Sequence, residues 1–124
     1  MKIYIGHPSS IDFKESLYRP LENSELAEKH NLIFPHKDSD EPFDSKNLLR
    51  GECDLMVAEV SEPSTGLGIE LGWAEMFEVP TVLAKRNNVN VSSSLSVISD
   101  EVLSYEDKEE LIEVLRNRIG RIEE

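Results

Sequence analysis

The segment Asp54 to Gly72, DLMVAEVSEPSTGLGIELG, carries one carboxylate, Glu70, where chemistry on a bound small molecule is expected. Asp54 to Val60 is a short, nearly unbroken apolar run rich in Val, Leu and Met, as in a strand buried on both faces of a parallel sheet. Ser61-Glu62-Pro63-Ser64-Thr65-Gly66 is turn chemistry, and from about Gly66 the residues Leu67, Leu71, Ala74 and Phe77 recur at helical spacing. In open α/β sheets ligands sit beyond the carboxyl ends of strands, where helix N-termini favour negative charge. Glu70 falls on the first turns of this helix, which favours its ionised form by tenths of a kcal/mol to about one. Such a carboxylate can stabilise positive charge in a ligand or attack it as a nucleophile. The plainer alternative is a surface glutamate like Glu75 or Glu78.

Other residues cluster at the same edge of the expected sheet. Tyr4 stands near the end of the first strand, where its hydroxyl can orient a carboxylate on the neighbouring helix or simply reach water from a half-buried ring. Gly6, His7, Pro8, Ser9 and Ser10 form the next loop, and Ser9 or Ser10 can donate to a phosphate or sugar oxygen. His7 has the chemistry of an acid or base, but with no partner visible in the sequence a solvated loop histidine is the favoured expectation. Ser64 is placed to cap the helix, and with the N–H groups of Thr65 and Gly66 it makes a small anion cradle. Gly66 and Gly68 would let a substrate approach the backbone closely. Glu59, a carboxylate inside the apolar strand, is either a paired structural residue or a participant with a shifted pKa. Trp73 is expected to serve packing.

The run EVSEPSTGLGIELGWA resembles the signature of the nucleoside 2-deoxyribosyltransferase superfamily, and within it the 2'-deoxynucleoside 5'-monophosphate N-glycosidases, which share E-V-x-x-P-S-x-G-x-G-x-E-L-G. The resemblance extends more loosely to the KIYIG strand and to the order of elements over nearly the whole chain. It implies that Glu70 is the nucleophile toward C1' of a sugar, that Tyr4 orients it, and that Ser64 meets a 5'-phosphate. The N-glycosidic bond breaks through an oxocarbenium-like transition state, which a carboxylate beside C1' stabilises or traps covalently. The implied substrate is a small nucleoside or nucleotide, with no cofactor and no metal. The pattern departs from the family at two points. The monophosphate hydrolases carry Gly-Ser followed shortly by arginine after the first strand, and here no arginine precedes Arg19. The family's aspartate eight positions before Asp54 is replaced by Lys46, leaving Asp44 as the nearest acid, with His36 or water as alternative proton sources.

Composition bounds these expectations. A chain of 124 residues reads as a single domain, 1–124, able to bury roughly two thirds of its surface. The lone Cys53 allows no internal disulfide and fits a reducing, cytoplasmic compartment, and no Cys/His cluster has zinc spacing. A net charge of -12 repels nucleic-acid polymers and anionic lipid, and the apolar stretches are too short for a bilayer. One phosphate can still be held locally by backbone N–H groups.

The elements that must position these residues alternate along the chain. Met1–Gly6 is a strand; Ile11 to Tyr18 reads as helix, with Pro20 as a restart or kink and the period continuing from Leu21 to Lys29. Leu32–Phe34 is a second strand. The polar loop Pro35 to Ser45 is long for so small a domain and is expected to cover the site. A short helix at Lys46–Leu49 precedes the third strand, the Gly66–Glu78 helix leads to a fourth at Pro80–Ala84, and Asn87–Ser96 is a second polar loop. Glu101–Tyr105 is the fifth strand, and an amphipathic helix from about Glu106 presents Leu111, Val114, Leu115, Ile119 and Ile122 on one face. With right-handed crossovers this predicts an α/β fold, a three-layer, doubly wound, five-stranded parallel sheet of flavodoxin-like order. In the resembling hydrolases a serine of the last loop, matched by Ser94, reaches the neighbouring subunit's phosphate, so the resemblance implies a homodimer or higher homo-oligomer.

Overall fold

The computed structural model describes residues 1–124, which form a parallel sheet of five strands in the order β2-β1-β3-β4-β5. The strands are β1 (Lys2–Gly6), β2 (Asn31–Ile33), β3 (Leu55–Glu59), β4 (Thr81–Arg86) and β5 (Val102–Tyr105). This is the flavodoxin-like order expected from the alternation of elements. β3 is buried at every position, as its unbroken apolar run requires. Side chains alternate between two cores: Ile3, Ile5, Leu55 and Val57 enter one, Tyr4, Met56, Ala58 and Leu83 the other. The helices are α1 (Arg19–Glu22), α2 (Glu25–Lys29), α3 (Ser45–Gly51), α4 (Thr65–Met76) and α5 (Lys108–Glu123). α5 covers the first core with Leu111, Leu115 and Ile119, and α4 covers the second with Leu67, Leu71 and Ala74.

Differences from the expected boundaries have local causes. Pro20 has no N–H and its ring crowds the preceding turn. Residues Lys14–Tyr18 accordingly open into a π-helical turn whose end is closed by the Arg19 N–H donating to the Lys14 carbonyl. A second break at Asn23 and Ser24 interrupts the run expected from Leu21 to Lys29, because the Ser24 hydroxyl caps α2 by accepting the Leu26 N–H. α3 is longer than Lys46–Leu49 because Asp44 caps it. Within the polar loop after β4, Ser93–Val97 forms a 3-10 turn. No helix is long and apolar enough to cross a membrane.

Candidate functional site

In this strand order the crevice lies between β1 and β3, which run side by side from Ile3↔Leu55 to Gly6↔Ala58. Two side chains meet above it. The Tyr4 ring is held in the core at 1% exposure, and its hydroxyl donates to Oε2 of Glu70 over 2.5 Å. On α4, Leu67, Leu71 and Ala74 face the sheet, so Gly66, Glu70 and Trp73, at i, i+4 and i+7, share one flank. That flank turns toward the end of β1. Burial, reinforced by the adjacent Glu70 charge, pushes the Tyr4 phenol far above its ordinary pKa, so it remains a donor.

Tyr4 and Glu70 line a cavity of about 330 Å³ together with His7 and Ser9 from the loop after β1, and Ser64 and Gly66 from the start of α4. The loop expected to cover the site does contribute its wall, through Pro35, His36, Pro42, Phe43 and Ser45. Phe43 lies nearly parallel to Tyr4, at 20° and 6.0 Å between ring centres, and it is 40% exposed at the mouth. Ile69 and Trp73 complete the apolar side. A flat, partly apolar ligand with a polar end matches these walls.

Ser64 caps α4, its hydroxyl accepting the Leu67 N–H at 3.2 Å, and it lines the cavity as well. A Cβ at Gly66 or Gly68 would meet nothing within 4 Å, and neither residue has positive φ. Their value is therefore open space beside the backbone rather than an unusual conformation.

His7 corrects an expectation. It is not a solvated loop histidine: it is 8% exposed, stacked 4.4 Å from Phe13, and bonded at both ring nitrogens. Nδ1 lies 2.8 Å from the Pro8 carbonyl, which only accepts, so Nδ1 carries the proton and Nε2 accepts from the Tyr18 hydroxyl at 2.6 Å. Tyr18 in turn accepts the His36 N–H at 3.2 Å. Burial lowers the His7 pKa, the Pro8 bond opposing and His36 adding to the shift, while burial pushes the Tyr18 phenol up to about 12. Both shifts favour the uncharged forms of His7 and Tyr18. Nδ1 of His36 is buried without a hydrogen-bond partner.

Glu59 proves to be tied down as a structural residue. It is 3% exposed and accepts from the Ser61 N–H (2.5 Å), the Ser61 hydroxyl (3.0 Å) and the Tyr105 hydroxyl (2.5 Å), so it links the ends of β3 and β5 away from the Glu70 cavity.

Three expected site residues do not join Glu70. Asp44 is exposed and outside the lining; its carboxylate accepts the Asn47 N–H (3.3 Å) and Nδ2–H (2.7 Å) as the cap of α3. Gly68 lies on the opposite flank of α4 from Glu70, where it and Ser94 line a second cavity of about 300 Å³ that shares Ser64 and Leu67 with the first. Trp73, expected only to pack, lines the cavity, as does Ile69, which was not anticipated, and two residues near the start of α3 were missed as well. Ser45, 4% exposed, faces the Tyr4–Glu70 pair directly after the Asp44 cap, and Phe43 precedes it. The D-S-K-N cap pattern was the available signal for Ser45, since the residue after a cap begins the helix. For Phe43 the only signal was an aromatic in a polar loop.

No protein-family model matches the chain. Over 67 residues it is 40% identical to a Methanosarcina mazei protein with the provisional name 2'-deoxynucleoside 5'-phosphate N-hydrolase 1, across 52% of this chain and 42% of that one. It is 29% identical over 103 residues to a protein of the same provisional name from Syntrophotalea carbinolica, across 71% of this chain and 72% of that one. The chain thus matches less than half the length of the first relative and nearly three quarters of the second. A solved structure, the CMP N-glycosidase of Clostridium botulinum, superposes with a TM-score of 0.64 at 21% identity, covering 94% of this chain and 99% of that one. That likeness is one of fold, and it matches the five-stranded parallel architecture. Taken together, the relatives and the neighbour support the resemblance noted in the EVSEPSTGLGIELGWA run.

Proposed function

We propose that this chain, standing in the N-hydrolase branch of the nucleoside 2-deoxyribosyltransferase-like superfamily, releases the base from 2'-deoxynucleosides or their 5'-monophosphates through Glu70. The single observation that carries this reading is the Tyr4–Glu70 pair on the floor of a cavity lined by Ser9, Ser64 and Phe43. Tyr4 donates to Oε2 and so leaves Oε1 to face the sugar. As the C1'–N bond breaks, its electron pair leaves with the base, and Oε1 bonds to C1' or stabilises its positive charge. Water then adds to C1', its proton going to solvent, and Glu70 is freed; an acceptor nucleoside in place of water would make the same site a transferase. The base takes its proton from water or His36. Ser45, not Asp44, is the residue at the start of α3 that meets the substrate, since Asp44 is spent on capping.

Ser64 and the open backbone at Gly66 would face the sugar's 5' end, and Phe43, Ile69 and Trp73 the base. The chain works as a homodimer or larger homo-oligomer in the cytoplasm, with a twofold contact on α4, where Ile69 and Met76 are 49% and 74% exposed. In that assembly the cavity containing Ser94 abuts the shared site. A second reading, a nucleotide-binding module with weak turnover, is favoured by one observation: Glu70 is the sole carboxylate among the cavity's lining residues. Incubating the protein with a panel of nucleosides and monophosphates, and following free base by chromatography, separates the two. Base release supports the enzyme; ligand-induced thermal stabilisation without release supports the module.

A further inference from the structure

One hydroxyl joins two loops that form the wall of the Glu70 cavity. The covering segment brings Pro35, His36, Pro42, Phe43 and Ser45 to that wall, and the loop after β1 brings His7. From Pro35 to Pro42 a single hydrogen bond leads to another element, the His36 N–H donating to the Tyr18 hydroxyl at 3.2 Å. The other polar tie of this stretch is the ion pair of Lys37 with Glu22 at 3.2 Å, and both partners are exposed, where such pairs contribute little. Tyr18 is a firm anchor. It closes the π-helical turn, is 2% exposed, and packs its ring 4.7 Å from Phe34 and 5.2 Å from Phe13. Its one hydroxyl proton goes to Nε2 of His7 at 2.6 Å, while the other ring nitrogen of His7 is committed to the Pro8 carbonyl. A phenol oxygen donates and accepts at once, so His36, Tyr18 and His7 are bonded in series through that single atom.

We infer that Tyr18 is a positioning residue for the Glu70 site: its hydroxyl latches the His36 loop to the His7 loop and so holds the covering segment in the arrangement that binds substrate. This rests on the base-releasing reading of Glu70. Tyr18 is not among the residues lining the cavity and acts through His7 and His36, which are. Without the hydroxyl, the His36 N–H and the buried Nε2 of His7 both lose their partner. The segment then keeps only the surface ion pair and ring contacts, Phe43 on Tyr4 and His36 beside Phe13, each at 6.0 Å. A pocket whose wall is in place for part of the time binds in proportion to that fraction. The Tyr4–Glu70 bond joins β1 to α4 and does not pass through Tyr18, so chemistry on bound substrate is preserved. The signature of the latch therefore falls on KM rather than on kcat.

Tyr18→Phe in the full-length protein removes one oxygen and keeps the ring. KM for base release from 2'-deoxynucleosides and their 5'-monophosphates should rise about five- to tenfold, with kcat within about twofold of wild type. Kd for 2'-deoxypseudouridine and its 5'-monophosphate, whose C–C glycosidic bond is not cleaved, should rise by the same factor. A second measurement needs no variant: in wild type, either of these ligands at saturation should slow hydrogen exchange at the His36 amide, because binding and the latch favour the same state. A lower melting temperature with KM and Kd unchanged would make Tyr18 a packing residue and overturn the inference. So would a loss confined to kcat, or a His36 amide whose exchange ignores ligand. Wild type that binds the ligands without releasing base, while Kd still rises in Tyr18→Phe, would remove the catalytic reading and leave the latch standing. Failure of wild type to bind any of these ligands would overturn both.

Discussion

The Tyr4 hydroxyl donates to Oε2 of Glu70 across 2.5 Å, joining the first strand to the helix after the third over 66 residues of sequence. The bond fixes the carboxylate's rotamer and its free oxygen at the crevice between β1 and β3. A hydrogen bond to a charged group is worth about 1.5–3 kcal/mol. Tyr4→Phe keeps the ring in the core, so it should fold normally and lower kcat by roughly 10- to 100-fold with little change in KM. Steady-state kinetics with circular dichroism checks both halves. An unchanged kcat would leave Tyr4 as a packing residue only.

His7 supplies a pH signature. Its pKa is held below the ordinary 6.5 in the folded chain, mainly by burial, so the unfolded chain binds the proton first as pH falls. Its contribution to stability is fully present above 6.5 and is lost as pH drops below 6.5 toward the folded value. Melting temperatures of wild type and His7→Gln, compared across roughly pH 5 to 8, should converge at the acid end. Parallel curves over the whole range would show that His7 is not titrating as described.

Tyr105→Phe removes one of the three donors to the buried Glu59. Leaving that carboxylate short of a partner should destabilise the fold by about 1–3 kcal/mol, read by denaturant titration. Because the pair lies away from the Glu70 cavity, base release per folded molecule should stay near wild type. A selective loss of activity would move Glu59 into the chemistry.

Much of this was legible in the residues because burial and turn chemistry leave strong patterns. The unbroken apolar run of β3 and the S-E-P-S-T-G turn placed Glu70 at the carboxyl edge, and the alternation of elements predicted the observed strand order. What was not legible depended on contacts between distant loops. His7 reads as a loop residue, and only the packing of Phe13 and Tyr18 against it shows a buried neutral ring. Asp44 and Ser45 are neighbours with opposite fates, one capping outward and one facing the cavity, a distinction made by the helix start rather than by residue type. The π turn before Pro20 likewise leaves no periodic mark in so short a segment.

Assembly is open to direct measurement. Light scattering at moderate salt and tens of micromolar protein should give at least a dimer mass; a monomer would count against the shared site. If Ser94 reaches a neighbouring subunit's site, mixing inactive Glu70→Gln with an inactive Ser94→Ala variant should restore some activity in the heterodimer. No restoration would mean that each site is built from one chain.

Glu70→Gln tests the central claim most directly. The amide preserves volume and can still accept from Tyr4, but it removes the carboxylate proposed as nucleophile and its charge. Wild-type protein should release free base from 2'-deoxynucleosides or their monophosphates, and the variant, folded and still binding the same ligands, should lose nearly all of that release. A variant within about tenfold of wild type would contradict Glu70 as the nucleophile.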